Sequence, residues 1–407
     1  MRYKKPNLFC YRFAQAVSNV FAKLVFRRKI IRNEIKGVKG AYVVIANHQS
    51  AYDFVNLIGV TKRRMSFVIS NSFYKSLPIK KFLKALGVIP KQQFQTSVKD
   101  MKNMKAVVEN DSPLVIYPAG LMCEDGLSTP IPSATYKFLK WLAADVYVAR
   151  SFGTYFVMPK WSKGMRIGET HLDIYKLFSK EELKTLSEDE VKEKTEKSLL
   201  FDAYREQETI KAVYKKKGNI EGLENVLYIC PVCKKEYCIK VKDKNTIYCT
   251  HCGFEQESDK YSFMHLKSKS GKEIRYVSDW SKVVFEAVKN DIKSGKLSEI
   301  TALTDIKMID EKKNKFKTVG SGTVSLTKDG FTLNGKINGE DMGIFASINQ
   351  IPSLPFSPGK YFEIQDGEQI YRCALKDGKL AMKFINMVKS FYELRTKETV
   401  KLQEREL

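Results

Sequence analysis

The chain has 407 residues, 43% of them hydrophobic, with only 23 Gly and 12 Pro, so neither a collagenous nor a wholly disordered chain is plausible and two or three domains are expected. Its 70 Lys and Arg against 46 Asp and Glu give a formal charge of +24, which calls for an anionic partner: nucleic acid, a phosphorylated substrate or an acidic membrane surface. No apolar run reaches the roughly 18 residues of a spanning helix, and no signal-peptide pattern opens the chain.

Residues 1–34 carry Arg2, Lys4, Lys5, Arg12, Lys23, Arg27, Arg28, Lys29 and Arg32, with no acid before Glu34. Between the charges, Leu8, Phe9, Phe13, Val17, Val20, Phe21, Leu24 and Val25 recur at near-helical spacing. A basic amphipathic helix of this kind suits the lipid headgroup layer, and equally an ordinary surface helix packed on its own domain.

Residues 35–215 read as an α/β domain with a partly parallel sheet. Short apolar runs at Ala41–Ala46, Met65–Ile69 and Leu114–Tyr117 predict strands. They alternate with predicted helices at Ser50–Val60, Ile79–Leu86, Ser97–Glu109 and Tyr136–Ala144. A charge-dense helical stretch follows at 176–217, with Ser179 and Glu182 placed as a capping box.

The residues that carry chemistry are Asn47-His48-Gln49-Ser50-Ala51-Tyr52-Asp53, directly after the strand AYVVIA. A carboxylate one turn into the next helix can fold back to one ring nitrogen of His48, fix its tautomer and stabilise the imidazolium. The other nitrogen is then available to take a proton from a hydroxyl, the base-and-orienter part of a triad without a protein nucleophile. Ser50-x-x-Asp53 is also a capping box, so Asp53 has a purely structural alternative.

His-x4-Asp after an apolar strand resembles the lysophosphatidic acid acyltransferase (glycerolphospholipid acyltransferase) family. Leu86-Gly87-Val88-Ile89-Pro90-Lys91 is similar to its second block, Val115-Ile116-Tyr117-Pro118-Ala119-Gly120 to its third, and Ala149–Pro159, ending Val157-Met158-Pro159, to its fourth. The resemblance implies that His48 deprotonates the acceptor hydroxyl, which attacks the thioester of acyl-CoA or acyl-carrier protein, and that Asp53 orients His48. It places Lys91 near the acceptor's anion, and it makes Asn47, Ser50 and Pro118 the other substrate-binding candidates. Gly120, having no side chain, is expected to bring its backbone N–H to the developing oxyanion.

The sequence departs from the family pattern in the third block. Ala119 stands where the family has Glu, Leu121-Met122 replaces Thr-Arg, and Lys91 or Gln92 stands for Arg. A lysine offers one compact charge where arginine grips phosphate with two donors. Glu124 is the candidate replacement carboxylate, set against its reading as part of an exposed Glu124-Asp125-Gly126 turn. Lys62, Arg63, Arg64, Lys80, Lys81 and Lys84 are expected near the site to meet donor phosphates or, as ordinary charges, to be solvated.

At 226–258, Cys230-Pro231-Val232-Cys233 and Cys249-Thr250-His251-Cys252 are fifteen residues apart. Two such knuckles complete a tetrahedral Zn²⁺, and the module resembles a zinc ribbon with a hairpin at Tyr237–Val241 and Thr246–Tyr248. Four protein ligands make a closed, structural site; Cys238 and His251 fall outside the paired spacing. Lys215-Lys216-Lys217, Lys234-Lys235 and Lys240-Val241-Lys242 flank it. A spacer or protein-contact role takes precedence over nucleic-acid binding.

Residues 273–400 comprise a helix at Asp279–Lys293, then short strands with turns expected at Lys328-Asp329-Gly330, Asn334-Gly335, Asn338-Gly339 and Asp366-Gly367. An amphipathic helix, Lys379–Arg395, closes the region. Hairpins closed by one helix resemble the pleckstrin-homology-like architecture.

The sequence therefore implies a peripheral (monotopic) acyltransferase on the cytoplasmic face of a membrane, with no spanning helix. It moves a fatty acyl group to a lysophospholipid hydroxyl, with 1-acyl-sn-glycerol-3-phosphate the default acceptor. Its partners are an anionic membrane surface, the acyl thioester donor, the lysolipid, and a protein met through the ribbon or the β-rich region. The rival reading is a non-catalytic lipid-binding scaffold, or a zinc-ribbon module binding nucleic acid or protein on a degenerate acyltransferase fold.

Overall fold

The structure is a computed structural model that describes residues 3–93, 97–215, 220–348 and 353–403, the last eight of these by backbone alone. Arg2, Lys216 and Lys217, named above among the basic residues, lie outside the described set. The chain divides into two compact units, one of residues 1–219 with 258–263, the other of residues 220–257 with 264–407.

The first unit is built on a seven-stranded sheet: β1 (Lys29–Asn33), β2 (Tyr42–Ala46), β3 (Ser66–Ser70), β4 (Ile89–Lys91), β5 (Leu114–Ile116), β6 (Asp145–Phe152) and β7 (His171–Phe178). The strand order is β1-β7-β6-β2-β5-β3-β4. Strands β6, β2, β5, β3 and β4 run parallel, and β7 is antiparallel to β6. Because alternate side chains leave opposite faces of a strand, the apolar run of β2 serves two layers. Val43 and Ile45 join one core with helices α5 (Val98–Glu109), α6 (Ala134–Leu142) and α9 (Glu188–Leu199). Tyr42, Val44 and Ala46 join the other with Tyr11 of α1 (Leu8–Leu24) and Leu57 of α2 (Asp53–Leu57). The short helices α3 (Asn71–Ser76), α4 (Lys80–Ala85), α7 (Thr154–Val157), α8 (Glu182–Thr185) and α10 (Ala203–Ile210) fill the connections. Ser179 and Glu182 exchange the two hydrogen bonds of the expected capping box.

Three expectations change here: residues 29–33 of the segment read as a helix over 1–34 form β1, residues 176–178 of the stretch read as helical belong to β7, and the second predicted helix is shorter. The helix expected over Ser50–Val60 contracts to Asp53–Leu57, because the residues before it form a turn around the Asp53 carboxylate. Just after it, a Cβ on Gly59 would lie 1.9 Å from the Asn19 side chain, so only glycine permits the approach of α1. Helix α1 is also turned inside out relative to a normal surface helix. Tyr11, Gln15, Ser18 and Ala22 face the protein, where Gln15 Nε2 donates to the carbonyls of Ile58 and Thr61. Leu8, Phe9, Phe13, Val17, Val20 and Leu24 are exposed, Phe9 at 81%.

The second unit contains a four-stranded antiparallel ribbon, β8 (Ile239–Lys242), β9 (Thr246–Cys249), β10 (Glu255–Ser258) and β11 (Met264–Leu266). Helix α11 (Val277–Lys293) follows and packs its Trp280 on the ribbon, where the indole Nε1 donates to Ile229 O at 2.9 Å. The remainder is an antiparallel sheet of β12 (Ile300–Asp310), β13 (Lys315–Leu326), β14 (Gly330–Ile337), β15 (Glu340–Ser347), β16 (Phe356–Ser357), β17 (Tyr361–Asp366) and β18 (Gln369–Leu375). Helix α12 (Ala381–Gln403) closes it, with Phe384 set against Phe331 and Phe362. Asn334-Gly335, expected as a turn, lies in mid-strand instead. Gly335 faces Gly322 of β13, and a Cβ there would meet Ser321 O at 2.4 Å, so this glycine serves a close approach of two backbones.

Candidate active site and metal centre

Strand β2 has β5 on one side and β6 on the other, so the chain reverses its strand order there. The crevice beyond the carboxyl ends of such strands is where open α/β sheets bind ligands. His48 follows β2, Tyr117–Gly120 follow β5, Lys91 ends β4, and Met158 follows β6 through α7. The four sequence blocks thus reach the same edge, and hydrogen bonds tie them together. Cys123 N–H donates to His48 O at 3.2 Å, Ser50 Oγ to Met158 O at 3.2 Å, and Gln93 Nε2 to Gly120 O at 2.5 Å.

His48 Nδ1 and Asp53 Oδ2 are 2.8 Å apart. The same oxygen accepts the backbone N–H of Gln49 at 2.8 Å and of Ser50 at 3.0 Å. Orienting His48 and capping the turn are therefore one arrangement, and the two readings of Asp53 do not exclude each other. The imidazole is 21% exposed and the carboxylate 1%, so the pair opens to solvent only through the ring. With Nδ1 engaged, Nε2 is the nitrogen left for proton transfer. Tyr117 stacks on the ring, with centroids 4.5 Å apart and planes inclined by 30°.

Several expected site residues are held by the scaffold. Asn47 Nδ2 donates to Ser151 O and Asn47 Oδ1 accepts from Ser151 N, both at 2.8 Å, so this buried amide clamps β6 rather than facing a substrate. Ser50, also buried, binds Met158 O in the same structural sense. Pro118 is half-buried in a turn closed by the Gly120 N–H, which donates to Tyr117 O at 2.9 Å. That bond takes up the amide expected to serve an oxyanion. Lys91 Nζ donates to Gln92 O at 2.8 Å; burial pulls its ammonium pKa down, and nearby Asp100 opposes this.

Glu124 is buried, not part of an exposed turn, and its carbonyl accepts the Tyr155 hydroxyl. Arg63 donates to Gly40 O and Asp111 O, which precede β2 and β5 at the opposite end of the sheet from His48. Arg64 binds Pro6 O. Neither arginine meets the site. Lys160, which the sequence reading passed over, has Nζ 3.4 Å from Met122 O, beside the third block. Tyr117 and Gln93 were also passed over; Tyr117 stands inside the third block, and nothing in the local pattern of Gln93 signals its contact.

In the second unit the thiol sulfurs of Cys230, Cys233, Cys249 and Cys252 all lie within 4.8 Å of one another. The Cys230–Cys252 and Cys233–Cys249 pairs are 3.6 Å and 3.7 Å apart. Tetrahedral zinc with Zn–S near 2.3 Å requires sulfur–sulfur edges of about 3.8 Å, so the four cysteines fit the ion. The N–H groups of His251 and Cys252 point at Cys249 Sγ, at 3.4 and 3.5 Å, as a thiolate ligand requires. Cys238 Sγ is 3.4 Å from Cys249 Sγ but outside the group of four. When bound, zinc would cross-link the two knuckles and supply folding energy rather than catalysis.

Residues 26–161 match the family model described as Acyltransferase. No curated protein matches the chain. Among solved structures, the chain is similar to the 1-acyl-sn-glycerophosphate (LPA) acyltransferase PlsC from Thermotoga maritima, at 18% identity over 51% of this chain and 83% of that one, with a TM-score of 0.40. It is also similar to the Ran binding domain of the nuclear complex component Nup2 from Ashbya gossypii, at 12% identity over 24% of this chain and 97% of that one, with a TM-score of 0.19. The family match spans β2 and β5 and contains every block of the His48 site.

Proposed function

From the premise that residues 26–161 form a domain of the acyltransferase family, we propose that the protein transfers a fatty acyl group from an acyl thioester, acyl-CoA or acyl-carrier protein, to a lysophospholipid hydroxyl. The observation that carries this reading is the 2.8 Å contact between His48 Nδ1 and Asp53 Oδ2 at the carboxyl edge of the parallel strands.

His48 Nε2 takes the proton of the acceptor hydroxyl as its oxygen attacks the thioester carbonyl. Asp53 stabilises the imidazolium that forms. Collapse of the tetrahedral intermediate breaks the carbon–sulfur bond, and the imidazolium returns its proton to the leaving thiolate. An oxyanion donor must come from the turn after β5, where Gly120 can donate only by releasing Tyr117 O. 1-Acyl-sn-glycerol-3-phosphate is the default acceptor, its phosphate met by Lys91 in place of an arginine.

The outward apolar stripe of α1, flanked by Lys4, Lys5, Arg12 and Lys23, supports docking on an anionic membrane surface, where both substrates reside. Among the described residues no helix is long and apolar enough to cross a membrane. In this reading the four cysteines hold a structural Zn²⁺, and the second unit offers a surface to a protein partner.

The test supplies purified protein with acyl-CoA or acyl-carrier protein and a panel of lysolipids on vesicles. Free thiol is expected, and His48→Ala should reduce its release at least a hundredfold. A His48→Ala variant as fast as the parent, or no acylated acceptor in the panel, overturns the enzyme and leaves a lipid-binding scaffold, the reading that Ala119 and Met122 favour.

A further inference from the structure

Tyr117 Oη is buried and makes no hydrogen bond among the described residues, and the same holds for Asp53 Oδ1. A buried hydroxyl or carboxylate oxygen without a partner costs free energy, so such atoms in a folded protein call for an explanation. Here the two orphans are complementary, one a donor and the other an acceptor. They also belong to the two side chains that hold His48, Asp53 through Nδ1 and Tyr117 through the face of the ring. Asp53 Oδ2, by contrast, has three donors.

We propose that Tyr117 is a positioning residue for the His48–Asp53 pair, its ring setting the plane of the imidazole and its hydroxyl serving Asp53 Oδ1 through one bound water. The proposal rests on the reading of His48 as general base. The phenol suits the part, since burial and then the Asp53 charge both raise its pKa and keep it a donor through neutral pH. A hydrogen bond to Oδ1 draws negative charge away from Oδ2, so the carboxylate holds a protonated imidazole less tightly. Tyr117 thereby adjusts how firmly Asp53 grips the ring. A phenylalanine at this position would keep the stack and lose that adjustment.

The other titratable or charged groups around the pair are Cys123, Glu124 and Asp125 after the third block, and Lys160 beside Met122 O. Cys123 is fully buried, and burial, then Asp125, Glu124 and Asp53, raise its pKa, so it adds no charge in the neutral range. Tyr117→Phe leaves all of these in place.

The experiment uses the full chain. The imidazole resonances of His48 are followed against pH by NMR in the parent and in Tyr117→Phe; the chain has 4 His, and the one missing from His48→Gln assigns the signal. The titration midpoint in Tyr117→Phe is expected to lie above the parent's by about half a unit or more. The acid limb of the thiol-release profile should move with it, while KM stays unchanged. A second variant, Tyr117→Leu, removes the ring as well and should lower kcat several-fold further than Phe. A Tyr117→Phe titration that superimposes on the parent, or moves to lower pH, overturns the proposal. If no acceptor is acylated, the acyltransfer reading fails on its own, and the NMR titration still decides the role of Tyr117.

Discussion

Asp53 Oδ2 accepts from His48 Nδ1 and from the N–H groups of Gln49 and Ser50. Replacing it therefore disturbs the imidazole's hold and the turn together, and the two effects separate by measurement. Asp53→Asn keeps the shape but cannot stabilise an imidazolium, so kcat should fall about a hundredfold or more. Loss of the charge-assisted bonds to the turn should lower stability by about 1–2 kcal/mol, read from denaturant unfolding. A variant that loses stability and keeps kcat within tenfold would leave Asp53 a cap and nothing more. The same neighbourhood shows where local sequence misleads. Asn47 and Ser50 sit in a block with functional meaning, yet their side chains bind Ser151 and Met158, residues about a hundred positions away. Spacing cannot reveal a partner that distant.

At the scale of elements, α1 is the clearest departure from a soluble helix. Its polar side is hydrogen-bonded to the domain through Gln15 and through Asn19, which accepts from Arg28, and its apolar side is exposed. The apolar stripe was legible in the sequence; the direction it faces was not, because periodicity defines a face without saying what covers it. Phe9, Val17 and Val20 are 81%, 52% and 58% exposed, so changing all three to Ser should leave the melting temperature unaltered. Binding to anionic vesicles should weaken at least a hundredfold, at about 1 kcal/mol or more for each side chain removed from lipid. Cosedimentation measures this, and equal binding by variant and parent would remove α1 from the membrane contact. Asn334-Gly335 makes the same point in the β region. The dipeptide is a strong hairpin signal, but Gly322 across the strand supplies a different reason for the glycine.

At the scale of the whole molecule, the cysteine module is not an independent bead. Trp280 of α11 donates to Ile229 O and its ring meets Phe254, while Lys383 of α12 pairs with Glu236, so the ribbon and the β sheet share one unit. Zinc bound to the four cysteines should therefore stabilise the entire second unit. Protein prepared under reducing conditions should contain about one zinc per chain. A strong chelator should lower the melting transition of this unit and leave that of the first unit in place. Metal-free protein with an unchanged melting profile would show that the knuckles fold without the ion.

The sequence by itself determined strands β2, β3 and β5 and helices α2, α4, α5 and α6, the His48–Asp53 pair, the cysteine quartet and the change to hairpins after residue 300. Each of these is written in periods of two or 3.6 residues or in short spacings, where covalent geometry alone sets which side chains can meet. Tertiary structure alone decided that Tyr117 stacks on His48, that the Gly120 amide is engaged by Tyr117 O, that Arg63 lies at the opposite end of the sheet, and that the apolar stripe of α1 is left uncovered. These depend on the order in which parallel strands assemble, and crossover connections bring together residues that no local pattern relates.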